Sequence, residues 1–595
     1  MKVTILLSFF CFVLVVISED VNISSSGSIE CDCTGVHEQF AKLNFVNHYA
    51  NEMQEGVFYQ RVEPRKTLSN KKLIYYSEEV ASLLDLELES YLVNTHCTDE
   101  VLAYLSFEEL IPGSQPISIP HSEYRYLKRE GTGSVTTASL LPERNGGGVL
   151  LGTIQNKAGD HFDLFAKGVG NVPFTGLSDG FLDLTRGSFE VIIGETIHGM
   201  GTKTVRNLAV MGSQDVMQEG SGRDSNIIIL QVAPTFIRMG TIEYFLNQKR
   251  IAEVNQILTF IRDHFYPTVP LSDNHFSNCQ EDDDDDEEDD DEYCYRSGTN
   301  DLLLEMSKRF FGNILELGYK AFQSGIISSG TFGVDGTMLE FQLSRFKERG
   351  DVPLMKCGSE DERDGGVYTI DKYKVIRGAI YQHMAVNLGL PKTLIKKINR
   401  GCRAEYQEKD EITLNKRIGI ISSTKDAFAE MKSYEIQKAL SGEVDWMSFL
   451  REIGHLQPFS TTTDRNEISM DETFWKSIQT KSKKRITVWT RWAKKFREEL
   501  RKQALDPADR QIYVENFHPA FLPRTYVISS AIKEIENGNF TMFKQIIEHA
   551  HNPYDPNFPE EWNQIDKPVY VFPCTNEDKV VDAGTIQRVT LKNTQ

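Results

Sequence analysis

Lys167 closes a short apolar run, Leu164-Phe165-Ala166, and is followed at once by Gly168-Val-Gly170-Asn-Val-Pro-Phe174. An ammonium at the end of a strand can sit on a phosphate, and closely spaced glycines let the backbone approach the same group. A lysine before an ordinary surface turn has the same spacing, so the pattern acquires meaning only from a partner. Glu190 supplies one: it lies in the helix-like stretch Ser188 to Thr196, where its carboxylate can hold the ammonium in place. A Lys–Glu pair joining strand to helix fixes an ammonium against the phosphates of a nucleotide.

Positioning that pair takes a strand, a turn and a helix in quick succession. From Gly131 to Gly180 glycine is dense and short apolar runs (Val149-Leu-Leu151, Phe162 to Ala166) alternate with turns, the texture of a small antiparallel sheet. Residues 185–212 show helical spacing, Asn226 to Val232 is a β-rich apolar run, and 241–266 is helical again. Upstream, 38–110 reads as helical and loop pieces, among them the amphipathic stretch Tyr76 to Leu86. Downstream, 300–325 reads as a helix, Gly325 to Phe341 as a glycine-rich turn, and the remainder as mostly helical. Trp475 to Leu505 is basic, and its Trp489, Trp492 and Phe496 form a stripe suited to a core. Sheet-rich first and helix-rich second predicts an α+β chain with two lobes.

The 595 residues are 40% hydrophobic and 25% charged, which gives a core and excludes disorder throughout. The block Glu281 to Glu292 supplies twelve of the negative charges behind the net −21. Without it the chain is only mildly acidic, which excludes the basic excess of a nucleic-acid binder and disfavours anionic membranes. The block has no means of burying itself and reads as a solvated loop, 279–294, binding Ca²⁺ loosely at most because it lacks fixed ligand geometry.

Met1-Lys2, an apolar run from Ile5 to Ile17 and then Ser18-Glu19 have the layout of a secretory signal peptide over 1–18. The run is shorter than the roughly 20 residues that span a bilayer, and no later stretch is a transmembrane segment. The expectation is a protein of the secretory pathway, secreted or in the endoplasmic reticulum or Golgi lumen. Residues 19–37 read as a flexible N-terminal segment. Outside the signal eight cysteines remain, Cys31, Cys33, Cys97, Cys279, Cys294, Cys357, Cys402 and Cys574, an even count in an oxidising compartment. Cys279 and Cys294 flank the acidic block closely enough to staple it. No spacing, Cys31-Asp-Cys33 included, matches a zinc site. Asn22-Ile-Ser and Asn539-Phe-Thr are glycan acceptors if exposed.

Read in order, Lys167 to Phe174, Ser178-Asp179-Gly180, Gly187-Ser-Phe-Glu190, Glu195 to Arg206 and Val232-Ala-Pro-Thr-Phe-Ile-Arg238 to Phe245 resemble the selenoprotein O family. Phe58-Tyr59, Val62-Glu-Pro64, His518-Pro, Asn537-Gly-Asn-Phe and Asn552-Pro-Tyr-Asp555 extend the resemblance over about 40–575. It implies a protein-kinase-like fold over 38–575, with an N-lobe at about 120–240, a C-lobe at about 241–575 and a tail at 576–595. It also implies transfer of AMP from ATP, with Mg²⁺ or Mn²⁺, to Ser, Thr or Tyr hydroxyls of protein substrates. By resemblance, Lys167 and Arg238 contact phosphates and Glu190 orients Lys167. Asp179 and Gly180 contact the nucleotide, Gly146 in Asn145-Gly-Gly-Gly148 stands in its ATP-binding turn, and Asp335 is the base and a metal ligand. Cys357 and Cys574 match family cysteines whose bond would tie the tail to the active lobe, as a staple or as a redox switch.

Three positions depart from the family pattern. Gln231 stands where the first phosphate-binding Arg is expected, Gly336 where a metal-binding Asn is expected, and Arg345 where the second metal-binding Asp is expected. Losing two ligands and an Arg removes several kcal/mol of transition-state stabilisation at about 1.4 kcal/mol per tenfold in rate. The competing expectation is therefore a catalytically inactive, pseudokinase-like binding or scaffold protein. Glu340 and the acids at 360–364 read as solvated surface groups rather than replacement ligands.

Overall fold

The computed structural model describes residues 33–64, 68, 70–93, 97–121, 123–128, 135–141, 148–170, 172–173, 180–213, 226–248, 250–267, 326–327, 333–341, 345–346 and 506–564, with scattered positions between 445 and 502. The signal-like segment, the acidic loop, the stretch 300–325, Gly146, Asp179, Trp489, Trp492, Cys279, Cys294, Cys357, Cys574 and the tail lie outside them. Among the described residues no helix is long and apolar enough to cross a membrane.

The described chain is α+β, centred on an antiparallel sheet. In chain order its helices and strands begin with α1 (Thr34–Ala41), α2 (His48–Glu52), β1 (Gln60–Arg61), β2 (Lys71–Tyr76), α3 (Glu78–Leu83), α4 (Glu89–Val93), α5 (Thr98–Leu105) and β3 (Ile117–Ser118). They continue with β4 (Glu123–Lys128), β5 (Val135–Leu141), β6 (Gly148–Gln155), β7 (His161–Lys167), β8 (Leu182–Asp183), α6 (Leu184–Gly199), β9 (Arg206–Ser213) and β10 (Asn226–Ala233). Then come α7 (Met239–Asn247), α8 (Ile251–Phe265), β11 (Ile326–Ile327), β12 (Arg345–Phe346), α9 (Pro507–Phe517), α10 (Thr525–Glu536) and α11 (Thr541–His551). The main sheet runs β1-β3-β6-β7-β10-β9-β2, with β8 added to β10. All its pairings are antiparallel.

Period-two alternation sorts the two faces of this sheet. Leu164 and Ala166 of β7, with Ile228 and Leu230 of β10, pack with α1, α3 and α5. Phe165, Ile227 and Ile229 point the other way, into the cluster formed with α6, α10 and α11. Both faces are covered, which is why β9 and the apolar body of β10 are buried. Lys167 follows Phe165 by two residues and so emerges toward α6, as the strand-to-helix pairing requires.

α6 begins at Asp183, whose carboxylate accepts from the Arg186 amide at 2.8 Å, a side-chain N-cap. Twelve of its 16 residues are buried, so it behaves as a core helix. Its glycines permit close approach: a Cβ on Gly199 would stand 2.1 Å from the Ala550 carbonyl of α11. The helical spacing across 185–212 holds only to Gly199; Arg206–Ser213 is strand β9. There the continuous apolar run is explained by burial on both sheet faces, which erases the alternation that marks a half-buried strand. Residues 241–266 form two helices, α7 and α8. Strand β2, Lys71–Tyr76, departs from the helix-and-loop expectation for 38–110.

Among the described cysteines Cys33 and Cys97 are disulfide-bonded. They cap the N-termini of α1 and α5, whose Phe40 and Tyr104 rings stack. The sequence permitted full pairing but did not single out this bond.

Candidate functional site

The turn after β7 depends on glycine. Gly168 and Gly170 have φ of +85° and +90°, in the left-handed region that glycine occupies without steric cost. A Cβ on Gly168 would also stand 2.2 Å from the Ile227 carbonyl. The Gly170 amide donates to the Gly180 carbonyl at 3.1 Å, which brings Gly180 back beside the lysine turn.

Lys167 Nζ donates to Glu190 Oε1 at 3.0 Å, and both side chains are almost wholly buried, at 2% and 0% exposure. Two further groups hold Glu190. Gln231 Nε2 donates to the same Oε1 at 3.2 Å, and the Phe341 amide donates to Oε2 at 2.9 Å. Gln231 Nε2 also reaches Asn207 Oδ1 at 3.1 Å. The residue that stands in place of an expected Arg thus braces the Lys–Glu pair from the neighbouring strand.

Arg238 is buried just beyond β10. Its Nη2 lies 2.7 Å from Glu340 Oε1 and its Nη1 3.2 Å from His121 Nε2. Glu340 Oε1 is also 3.9 Å from Lys167 Nζ. Glu340, read from sequence as a solvated acid, therefore stands between the two expected phosphate-binding cations with only 19% of its side chain exposed. Chain order alone could not reveal this, because the contacts span about a hundred residues or more.

Asp335 lies in a turn threaded between two other segments. The Val334 amide donates to the Ile237 carbonyl at 2.9 Å, Tyr266 Oη donates to the Val334 carbonyl at 2.7 Å, and the Val205 amide donates to the Met338 carbonyl at 2.8 Å. The Gly336 amide closes the turn onto the Gly333 carbonyl at 2.9 Å, with Gly336 at φ +83°. Asp335 Oδ2 accepts from Lys203 Nζ at 2.5 Å and from Thr337 Oγ1 at 2.6 Å, and Oδ1 accepts from the Thr337 amide at 3.1 Å. Gly336 offers no ligand side chain. Arg345 pairs through its backbone with Ile327 in the β11–β12 ladder.

A second buried acid, Asp163 of β7, accepts from Thr153 Oγ1 at 2.7 Å and from the Phe236 amide at 2.9 Å. Burial, with the Asp335 charge adding to it, pushes its carboxyl up to about 6. Sequence reading missed both Asp163 and Lys203. Asp163 is hidden in the same apolar run that ends in Lys167.

On the far side of α6, burial alone would raise the Glu195 carboxyl. His551 Nε2 at 2.9 Å, Arg206 Nε at 3.1 Å and the Asn207 amide at 2.9 Å outweigh it and hold it down at about 2. Arg206 also makes a two-pronged pair with Glu79, at 3.0 and 3.1 Å. This network ties α6, β9, α3 and α11 together.

An α+β protein with a buried strand-to-helix Lys–Glu pair and a second Arg–Glu pair beside it is the class that this geometry defines. A model of the family described as protein adenylyltransferase SelO matches residues 39–316. The protein nucleotidyltransferase YdiU of Myxococcus xanthus is 22% identical over 523 residues, covering 86% of this chain and 94% of the relative. The YdiU protein of a Pseudomonas aeruginosa strain gives the same figures. That of Salmonella schwarzengrund is 22% identical over 508 residues, covering 84% and 93%. The chain is thus similar to SelO over residues 39–316 and to YdiU proteins over most of its length.

Proposed function

We propose that this chain is a protein nucleotidyltransferase that binds ATP and transfers AMP to Ser, Thr or Tyr hydroxyls of protein substrates, on a two-lobed, kinase-like architecture. The observation that carries the reading is the buried Lys167–Glu190 contact with Arg238 close by, joined through Glu340. Similarity to relatives named protein nucleotidyltransferases supports it.

Lys167 and Arg238 bind phosphate oxygens, and Glu190, braced by Gln231, keeps Lys167 aimed. Gly180 and Asp179, with Gly146, contact the nucleotide. A substrate hydroxyl oxygen attacks the α-phosphorus; the bond to the bridging oxygen breaks, pyrophosphate leaves, and Asp335 receives the hydroxyl proton. Lys203, at 2.5 Å, holds Asp335 in position until then. Asp335 would also hold Mg²⁺ or Mn²⁺ through Oδ1, which accepts a single hydrogen bond, with water and phosphate oxygens completing the shell. When bound, such an ion neutralises phosphate charge.

We place the protein in the secretory pathway. The Cys33–Cys97 bond and the N-terminal signal pattern support that compartment. The test of function is label transfer from α-labelled ATP to the protein itself and to secretory-pathway proteins, with Asp335→Ala as control. Asp335-dependent label is the expected result. Nucleotide binding with no label would instead favour the scaffold reading.

A further inference from the structure

Away from the nucleotide site, three histidines and a glutamate meet from three separate parts of the chain. His48 and Glu52 lie one turn apart on α2, His264 is in the last turn of α8, and His161 opens β7. His264 Nε2 lies 3.0 and 3.1 Å from the two Glu52 oxygens. His48 Nδ1 lies 3.5 Å from Glu52 Oε1, and the other ring nitrogen, Nε2, lies 3.5 Å from His161 Nε2. The His48 and His264 rings are 4.5 Å apart between centroids. One ligand atom from each of His48, Glu52 and His264 falls within 4.8 Å of the other two.

We propose that His48, Glu52 and His264 form a Zn²⁺ site, with His161 as the hydrogen-bond partner that orients His48. Zinc bonds of about 2.0–2.2 Å at tetrahedral angles place ligand atoms roughly 3.3 Å apart, close to the 3.0 and 3.5 Å separations from Glu52. Two imidazoles, one carboxylate and an open fourth position for water form a known zinc donor set. A histidine that ligates through one nitrogen commonly donates the other N–H to a neighbour. Zinc ligation through His48 Nδ1 would put the ring proton on Nε2, which lies 3.5 Å from His161 Nε2 and can donate to it. Among the described residues Glu52 pairs with no Lys or Arg, only with His48 and His264. Bound zinc would pin α2 to α8, 212 residues apart in sequence, and so stabilise the fold by ligand linkage.

The site is independent of the nucleotide reading, and so is its test. Full-length protein, stripped with chelator, is titrated with ZnCl₂ by calorimetry beside His264→Ala, Glu52→Gln and His161→Ala. The melting temperature of each is measured with and without zinc. Expected are one equivalent of Zn²⁺ in the wild type that is lost in His264→Ala and Glu52→Gln, and about 10–100-fold weaker binding in His161→Ala. A rise in wild-type melting temperature absent from the first two variants accompanies it. Co²⁺ in place of zinc gives the visible absorption of a tetrahedral site in the wild type alone. Equal zinc stoichiometry and affinity in wild type, His264→Ala and Glu52→Gln, or no zinc bound by the wild type, overturns the assignment.

Discussion

Glu340 closes on Arg238, Oε1 to Nη2 at 2.7 Å, and so occupies the guanidinium that the proposed reaction assigns to phosphate. An incoming triphosphate has to displace this carboxylate or share the cation with it. Glu340→Gln removes the competing charge, and the expected result is ATP binding about three- to tenfold tighter, or roughly 1 kcal/mol. Equilibrium titration with ATP measures it. Weaker binding in the variant would instead make Glu340 a ligand of the nucleotide or its metal.

Lys203 stands against Asp335 from a side chain 46% exposed, so the pair adds well under about 1 kcal/mol to stability after solvent screening. Its effect should appear in metal dependence. Lys203→Ala leaves Asp335 without its ammonium, and less Mg²⁺ or Mn²⁺ should then be needed for half-maximal label transfer, with the melting temperature nearly unchanged. An unaltered metal requirement would separate Lys203 from the ion.

Glu195 gives the fold an acid limit. Its carboxyl is held at about 2, against an ordinary 4.5. A depressed carboxylate stabilises the folded state above its unfolded pKa, and that contribution is lost as pH falls from about 4.5 toward 2. The shift corresponds to roughly 3 kcal/mol. Asp163 acts with the opposite sign: raised from 3.8 to about 6, it lowers stability as pH rises through that interval. Denaturant unfolding from pH 3 to 7 should show a steep acid loss in the wild type, and Glu195→Gln should flatten it while lowering stability at pH 7.

The Cys33–Cys97 bond closes a loop with a sequence separation of 64. By the chain-entropy relation such a loop contributes about 4 kcal/mol. Cys97→Ser should lower the melting temperature by an amount matching that loss, and reduction of the wild type should reproduce it.

Much of this was legible in sequence because it is local. Lys167, its glycine turn and Glu190 lie within one strand–turn–helix unit, and the contact at 3.0 Å follows from strand alternation and helix direction. The β10 run was legible for the same reason. What escaped depends on distant chain. Glu340 reaches Arg238 across about a hundred residues, Lys203 reaches Asp335 across 132, and His551 reaches Glu195 across 356. No periodicity encodes such meetings. β9 carries no strand signature because burial on both faces removes the pattern that separates strand from helix, and the His48–Glu52–His264 group is assembled only by the packing of α2 on α8.

The central claim is that Lys167 and Arg238 recognise phosphate. Titration of wild type and Arg238→Gln with ATP and with adenosine, which differ only in the triphosphate, tests it most directly. The predicted result is ATP binding weakened about tenfold or more in the variant, adenosine binding unchanged, and a melting temperature close to wild type. ATP affinity equal in the two proteins would contradict the account.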